Sequence, residues 1–253
     1  MAATVLGGIH GHCSRDGSTP VYSSAMSPAT RDGLGLVASY AFVFGFIGVA
    51  TLLVRRKLMQ PAATRKVIHI GVAHWWLIAM ALMDNPWVAS VGPFSFIVIN
   101  ALAIRFHLLP AMDDGADGRN WGTVYFPLSL LVLVNLCWRA VLPTWIGGMA
   151  VLVLGWGDGL AALIGEGSDG PSFRIWGGRK SVAGTAAMFA ASFVVALVFV
   201  LLFSSRYGTM LPAAGIAALV ACVATAVELV TPLGIDNITV PLAVAGMAWA
   251  LFA

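Results

Sequence analysis

Charge is what this sequence most lacks. Only 10% of its 253 residues are Asp, Glu, Lys or Arg, against ~25% in a soluble domain. So few charges cannot cover a water-facing surface. Cysteine is also scarce: Cys13, Cys137 and Cys222 stand far apart, two of them in apolar runs. That pattern excludes a disulfide framework and a cysteine-based metal site. The first 33 residues contain no apolar run of the kind a secretory signal needs. Rich in Gly, Ser and Thr, they read as a disordered tail, and residues 1–25 read equally as a leader, an added segment or an over-long start ahead of Met26. No internal repeat of the transporter kind is present, and no nucleic-acid partner is expected.

Apolar residues are what the chain has in abundance. Hydrophobic residues make up 59% of it and the mean hydropathy is +0.90. Crossing a hydrocarbon core of ~30 Å takes about 20 apolar residues. Broken at charges, prolines and glycine clusters, the sequence supplies such runs at 35–54, 67–83, 87–104, 123–141, 145–163, 182–203, 211–229 and 238–252. The expectation is an all-α, polytopic transmembrane bundle of about eight spans, with seven or nine if short runs merge or split. Residues 34–253 form a single domain.

Alternating the loops between the two sides places ten of the fourteen Lys and Arg on one side, leaving Arg15, Arg31, Arg139 and Arg206 on the other. By the positive-inside rule the base-rich loops face the cytoplasm and both termini lie opposite, in a bacterial inner membrane or a eukaryotic organelle membrane. The same side holds Asp113, Asp114, Asp117, Asp158, Glu166, Asp169, Glu228 and Asp236. Solvated loops explain Asp113 to Asp117 well. They explain poorly the carboxylates embedded at helix ends, where charge is expensive and by default functional.

Four constellations on that side carry chemistry. In Arg65-Lys66-Val67-Ile68-His69, the three polar heads share one helix face and suit phosphate oxygens. Snorkelling accounts for the bases alone but not for His69 inside an apolar run. His74, deeper among Trp75 and Trp76, reads as a satisfied packing residue. In the run Gly155-Trp156-Gly157-Asp158-Gly159, Asp158 heads a stripe of small residues, Ala161, Ala162 and Gly165, that lets a backbone or a nucleotide come close. In Gly177-Gly178-Arg179-Lys180-Ser181, glycines, cations and an expected N-cap serine gather the ingredients of an anion site at a helix start, although the order is not that of a Walker A loop. Last, Glu228 and Asp236 bracket a short loop, an oxygen-rich pair suited to Mg²⁺; an ordinary N-cap role for Asp236 competes.

These blocks, with Gly-Thr-Val-Tyr-Phe-Pro at 122–127 and Asp236-Asn237-Ile238-Thr239-Val240-Pro241, resemble in that order the CTP-dependent lipid kinases of the polyprenol kinase family: dolichol kinases, phytol kinases and the fungal CTP-dependent diacylglycerol kinase. Phosphatidate cytidylyltransferases are distant relatives. The resemblance covers 65–241. Members usually read Lys-Lys-Ser/Thr and Glu-Gly where this chain has Arg179-Lys180-Ser181 and Ala183-Gly184, so no acidic role attaches to position 183. The resemblance implies transfer of the CTP γ-phosphate to the hydroxyl of a membrane lipid alcohol. Asp158, with Glu228 or Asp236, would hold Mg²⁺. Arg65, Lys66, Arg179 and Lys180 would neutralise the triphosphate, with Gly157, Gly177, Gly178, Ser181 and Asn237 completing its contacts. Asp158, His69 and Asp236 are the candidates to orient the hydroxyl. Two alternatives stay open: a cytidylyltransferase releasing pyrophosphate, and a transporter or lipid-binding membrane protein.

Overall fold

The structure, a computed structural model, describes residues 26–106, 121–175, 178–206, 211–232 and 234–252. Among them run α1 Pro28–Arg55, α2 Pro61–Ala73, α3 Trp75–Leu82, α4 Pro86–Arg105, α5 Gly122–Trp138, α6 Thr144–Glu166, α7 Val182–Phe203, α8 Ala213–Val230 and α9 Asp236–Phe252. One antiparallel hairpin, β1 Ser172–Ile175 and β2 Gly178–Ser181, lies between α6 and α7. The expected helical bundle is what forms. Helices α1, α4, α6, α7 and α8 are long and apolar enough to cross a membrane, and α5 and α9 are shorter apolar helices.

Local chemistry sets the helix starts. Ser27, Asn85 and Ser181 accept the backbone N–H groups of Thr30, Trp87 and Gly184 on their side-chain oxygens, satisfying donors that the first turn leaves without a partner. Pro28, Pro61 and Pro86 open their helices, where a missing N–H takes nothing from the ladder.

Helix α6 is the centre. It packs against α2, α3, α5, α7, α8 and α9, and 67% of its most apolar stretch is buried within the protein, against 17% for α1. Close approach of α6 and α7 depends on small residues. A Cβ on Gly184 would stand 2.7 Å from the Ala161 carbonyl oxygen, so nothing larger fits. The outer faces of α1, α4 and α7 expose Val37, Phe44, Leu52, Val98, Val194 and Leu201, a surface that suits lipid and not water.

Three local features depart from the sequence reading. Helix α1 begins at Pro28, five residues before the expected end of the tail. Asp32 anchors it: this buried carboxylate accepts the N–H groups of Asp84 at 2.7 Å and Asn85 at 3.1 Å. The span expected over 67–83 is two helices, because at His74 the backbone tightens into bonds three residues apart, His74 N–H to Gly71 O and Leu77 N–H to His74 O. The His74 ring is satisfied there, with Nδ1 donating to Ile70 O at 2.9 Å and Nε2 accepting from Trp156 at 3.2 Å. The hairpin is the third departure: strands of four residues carry too little alternation to stand out in a sequence.

Candidate active site

One cavity of about 1220 Å³ gathers residues from every one of the base-rich loops. Its charged end is built by the start of α2 (Arg65, Lys66, His69), the C-terminal half of α6 (Asp158, Glu166), the hairpin (Arg179, Lys180) and the α8–α9 corner (Glu228, Asp236, Asn237). The corner is shaped by Gly234, whose φ of +77° is open to glycine at little cost, and a Cβ there would stand 3.1 Å from Gly122 Cα. Asn237 closes the turn by donating to Gly234 O at 3.1 Å. Asp236 is thereby set in the combined field of Asp158, Lys180, Glu228 and Lys66.

The polar contacts at this end are mostly loose. Lys66 Nζ is 3.8 Å and His69 Nε2 3.9 Å from the same Asp158 oxygen, Oδ2. His69 Nε2 is buried and makes no hydrogen bond, while its ring lies against Phe126, with ring centres 4.6 Å apart. Lys180 and Glu228 form a close ion pair, Glu228 being almost fully buried. Arg179 Nε donates across the hairpin to Ser172 Oγ at 3.0 Å.

Of the expected site residues, Arg65, Lys66, His69, Asp158, Arg179, Lys180, Ser181, Glu228, Asp236 and Asn237 all line this cavity. Gly157 does not. A Cβ on it would meet Met188 Sδ at 2.5 Å and Ser192 Oγ at 2.9 Å, so it belongs to the α6–α7 seam and not to a nucleotide contact. Adjacent positions on a helix point about 100° apart, which turns Gly157 away as Asp158 turns in. Gly178 lies in β2, four residues ahead of the first residue of α7, so it does not supply an amide at that helix start as expected. Only Ser181 caps it. Gly177 lies outside the described residues, as do Asp113, Asp114 and Asp117. Sequence reading missed Asn100, which also lines the cavity; it sits in an apolar run, where a lone polar side chain in a span is the signal that could have found it. Tyr125, in the Gly-Thr-Val-Tyr-Phe-Pro block, and Thr185, just after the hairpin, line the cavity too.

Among the described residues no three His, Cys, Asp or Glu side chains form a group able to hold a metal by themselves. The donor set nevertheless fits Mg²⁺, which takes one or two carboxylates and completes its shell with water and substrate phosphates. The charge balance argues the same way. Among the described lining residues, five carboxylates (Asp158, Glu166, Asp169, Glu228, Asp236) face four bases, so a polyanion is better received with its own cation.

With the geometry in place, the comparison with known proteins is decisive. A phytol kinase of Synechocystis sp. is 35% identical over 218 residues, spanning 86% of this chain and 90% of the relative. The chain belongs to the phytol kinase family. Other members of it match along nearly the whole length: a probable chloroplastic phytol kinase 2 of Glycine max at 31% identity, over 91% of this chain and 80% of its own, and the chloroplastic phytol kinase 1 of Arabidopsis thaliana at 26%, over 86% and 74%. The membership agrees with the polyprenol kinase resemblance drawn from the ordered motifs. No family model matches the chain, and no solved structure matches it.

Proposed function

We propose that this chain is a membrane lipid-alcohol kinase that moves the γ-phosphoryl group of CTP onto the hydroxyl of a long isoprenoid alcohol of the phytol kind. The observation that carries the reading is the convergence of Lys66, His69, Asp158, Lys180, Glu228 and Asp236, from four helices and a hairpin, on one end of a cavity that is elsewhere lined largely by apolar and aromatic residues. Phosphoryl transfer asks a protein mainly for positioning and for electrostatic stabilisation. The names of the relatives support the acceptor; the choice of CTP rests on the motif resemblance.

Arg65, Lys66, Arg179 and Lys180 hold the triphosphate, for which Lys180 exchanges Glu228 for a phosphate oxygen. Asp158 and Asp236, joined by Glu228 as Lys180 leaves it, would hold Mg²⁺, which supplies neutralisation of phosphate charge when bound. The lipid oxygen attacks the γ-phosphorus, the bond to the β–γ bridging oxygen breaks, and CDP leaves. The hydroxyl proton passes to His69 Nε2, a buried nitrogen with no hydrogen bond of its own, and Asp158 beside it stabilises the imidazolium. In this reading the charged end faces the cytoplasm, which the distribution of Lys and Arg supports.

The test is turnover by purified protein with phytol, geranylgeraniol, farnesol, dolichol and diacylglycerol, each against CTP, ATP, GTP and UTP with Mg²⁺. The expected result is lipid phosphate from an isoprenoid alcohol, fastest with CTP. Turnover of no alcohol with any donor contradicts the kinase; preference for ATP contradicts the donor.

A further inference from the structure

The kinase reading accounts for only one end of the cavity. At about 1220 Å³ it exceeds the ~300–1,000 Å³ of a site for one small ligand, and the space left beyond the charged end is lined largely by apolar and aromatic residues. Its lining comes from α1 (Tyr40, Val43), α3 (Trp75), α4 (Gly92, Phe96) and α5 (Leu130). Chain direction fixes how these residues lie. Helices α1 and α4 run toward the base-rich loops, and α2–α3 and α5 run away from them. In each, the lining residue farthest from the charged end is therefore identified: Ser39, Trp75, Gly92 and Leu130. From Asn100 beside the charged end to Gly92 is eight residues of α4, about 12 Å at the helical rise.

Where the two lobes meet stands His69, with Asp158 on one side and the Phe126 ring on the other. A molecule with one hydroxyl on a long apolar body matches this junction: the oxygen at His69, the body along the aromatic wall.

Building on the kinase reading, we propose that the apolar lobe is the binding subsite for the hydroxyl-bearing end of the isoprenoid chain, with Trp75, Gly92 and Leu130 as its floor. The lobe, and not the bilayer alone, then sets the depth at which the hydroxyl meets the γ-phosphate. Gly92 gives the handle. The nearest atom that a methyl group added there would meet is in the Trp75 ring, at 3.7 Å, an ordinary contact. Gly92→Ala is therefore accepted, whereas Gly92→Leu puts a branched side chain into the lobe.

The experiment compares wild type, Gly92→Ala and Gly92→Leu in one detergent, measuring KM for phytol and kcat/KM for the five-carbon alcohol prenol. Gly92→Leu is expected to raise the phytol KM by about tenfold or more, within the ~10–200-fold that hydrophobic misfit commands, and to lower kcat/KM for prenol by much less, so that preference shifts toward the short alcohol. Gly92→Ala should raise the phytol KM less than Gly92→Leu does. An unchanged phytol KM in a folded Gly92→Leu protein overturns the assignment. A second measurement stands even if that variant does not fold or the kinase reading fails, because it reads binding without turnover. A phytol analogue with a diazirine in the half of its chain nearer the hydroxyl is photolysed on the wild-type protein. Labels are expected on the peptides around Tyr40, Trp75, Gly92 and Leu130; labels confined to outer faces such as that of Val98 overturn the subsite. Failure of all alcohol turnover with labels inside the lobe would sink the kinase and leave the subsite standing.

Discussion

Two polar clusters sit at opposite ends of this bundle, and they are finished differently. At the end where α1 begins, Asp32 accepts two backbone N–H groups at hydrogen-bond distance, and Arg31 reaches both Asp84, at 2.9 Å, and the Ala81 carbonyl, at 3.0 Å. At the other end, Asp158 has its neighbours at 3.8 and 3.9 Å, and His69 Nε2 is buried without a hydrogen bond. The first cluster clamps α1 onto the α3–α4 turn and needs nothing more. The second surrounds a cavity. Buried polar groups that a fold leaves unsatisfied call for an explanation, and the proposed function offers one: the substrates would complete this cluster.

Substitutions can break that contrast. The largest effect is expected from Asp158→Asn, which keeps the shape and removes the charge: kcat should fall by roughly 10²–10³-fold or more, the scale of losing one transition-state electrostatic partner, with thermal stability unchanged. An active, folded Asp158→Asn protein would make this cluster structural after all. Asp32→Ala should do the reverse. It leaves the Asp84 and Asn85 N–H groups unpaired, at about 1–3 kcal/mol each, so thermal stability drops while the folded fraction keeps its kcat.

The two clusters were not equally legible in the sequence. Asp158, Glu228 and Asp236 stood out because carboxylates at helix ends amid hydrocarbon are rare, and the bases stood out by their sidedness. Arg31 and Asp32 read in sequence as part of a disordered tail, because their partners lie some 50 residues away and no local pattern announces such a clamp. The Ser27-Pro28 pair that starts α1 is a local signal, and it was there to be read. The Lys180–Glu228 pair spans 48 residues and is equally invisible. Conversely, the spans themselves were readable nearly to their ends, since apolar run length is set by the bilayer. What run length cannot show is the tightened turn at His74 or the short hairpin, which depend on hydrogen bonds made locally.

Smaller effects sharpen the contrast. Lys180→Gln can still donate to Glu228 but loses its charge; kcat/KM for CTP should fall by about tenfold, ~1.4 kcal/mol, with the KM for the alcohol unchanged. A loss of stability with intact nucleotide kinetics would instead place Lys180 with the clamp residues. Arg31→Gln should be the mildest. Its ion pair with Asp84 is between side chains 37% and 47% exposed, a setting worth ~0–1 kcal/mol, so melting temperature and activity should both stay near wild type.

The central claim is that the incompletely satisfied cluster transfers a terminal phosphoryl group. It is tested most directly by giving purified protein, Mg²⁺ and phytol either γ-labelled or α-labelled CTP and following the label into extracted lipid. The account predicts that the γ-label enters the lipid, as a phosphate monoester with unlabelled CDP released, and that the α-label stays in the water-soluble nucleotide. Entry of the α-label into lipid with release of pyrophosphate would contradict it and make the protein a cytidylyltransferase.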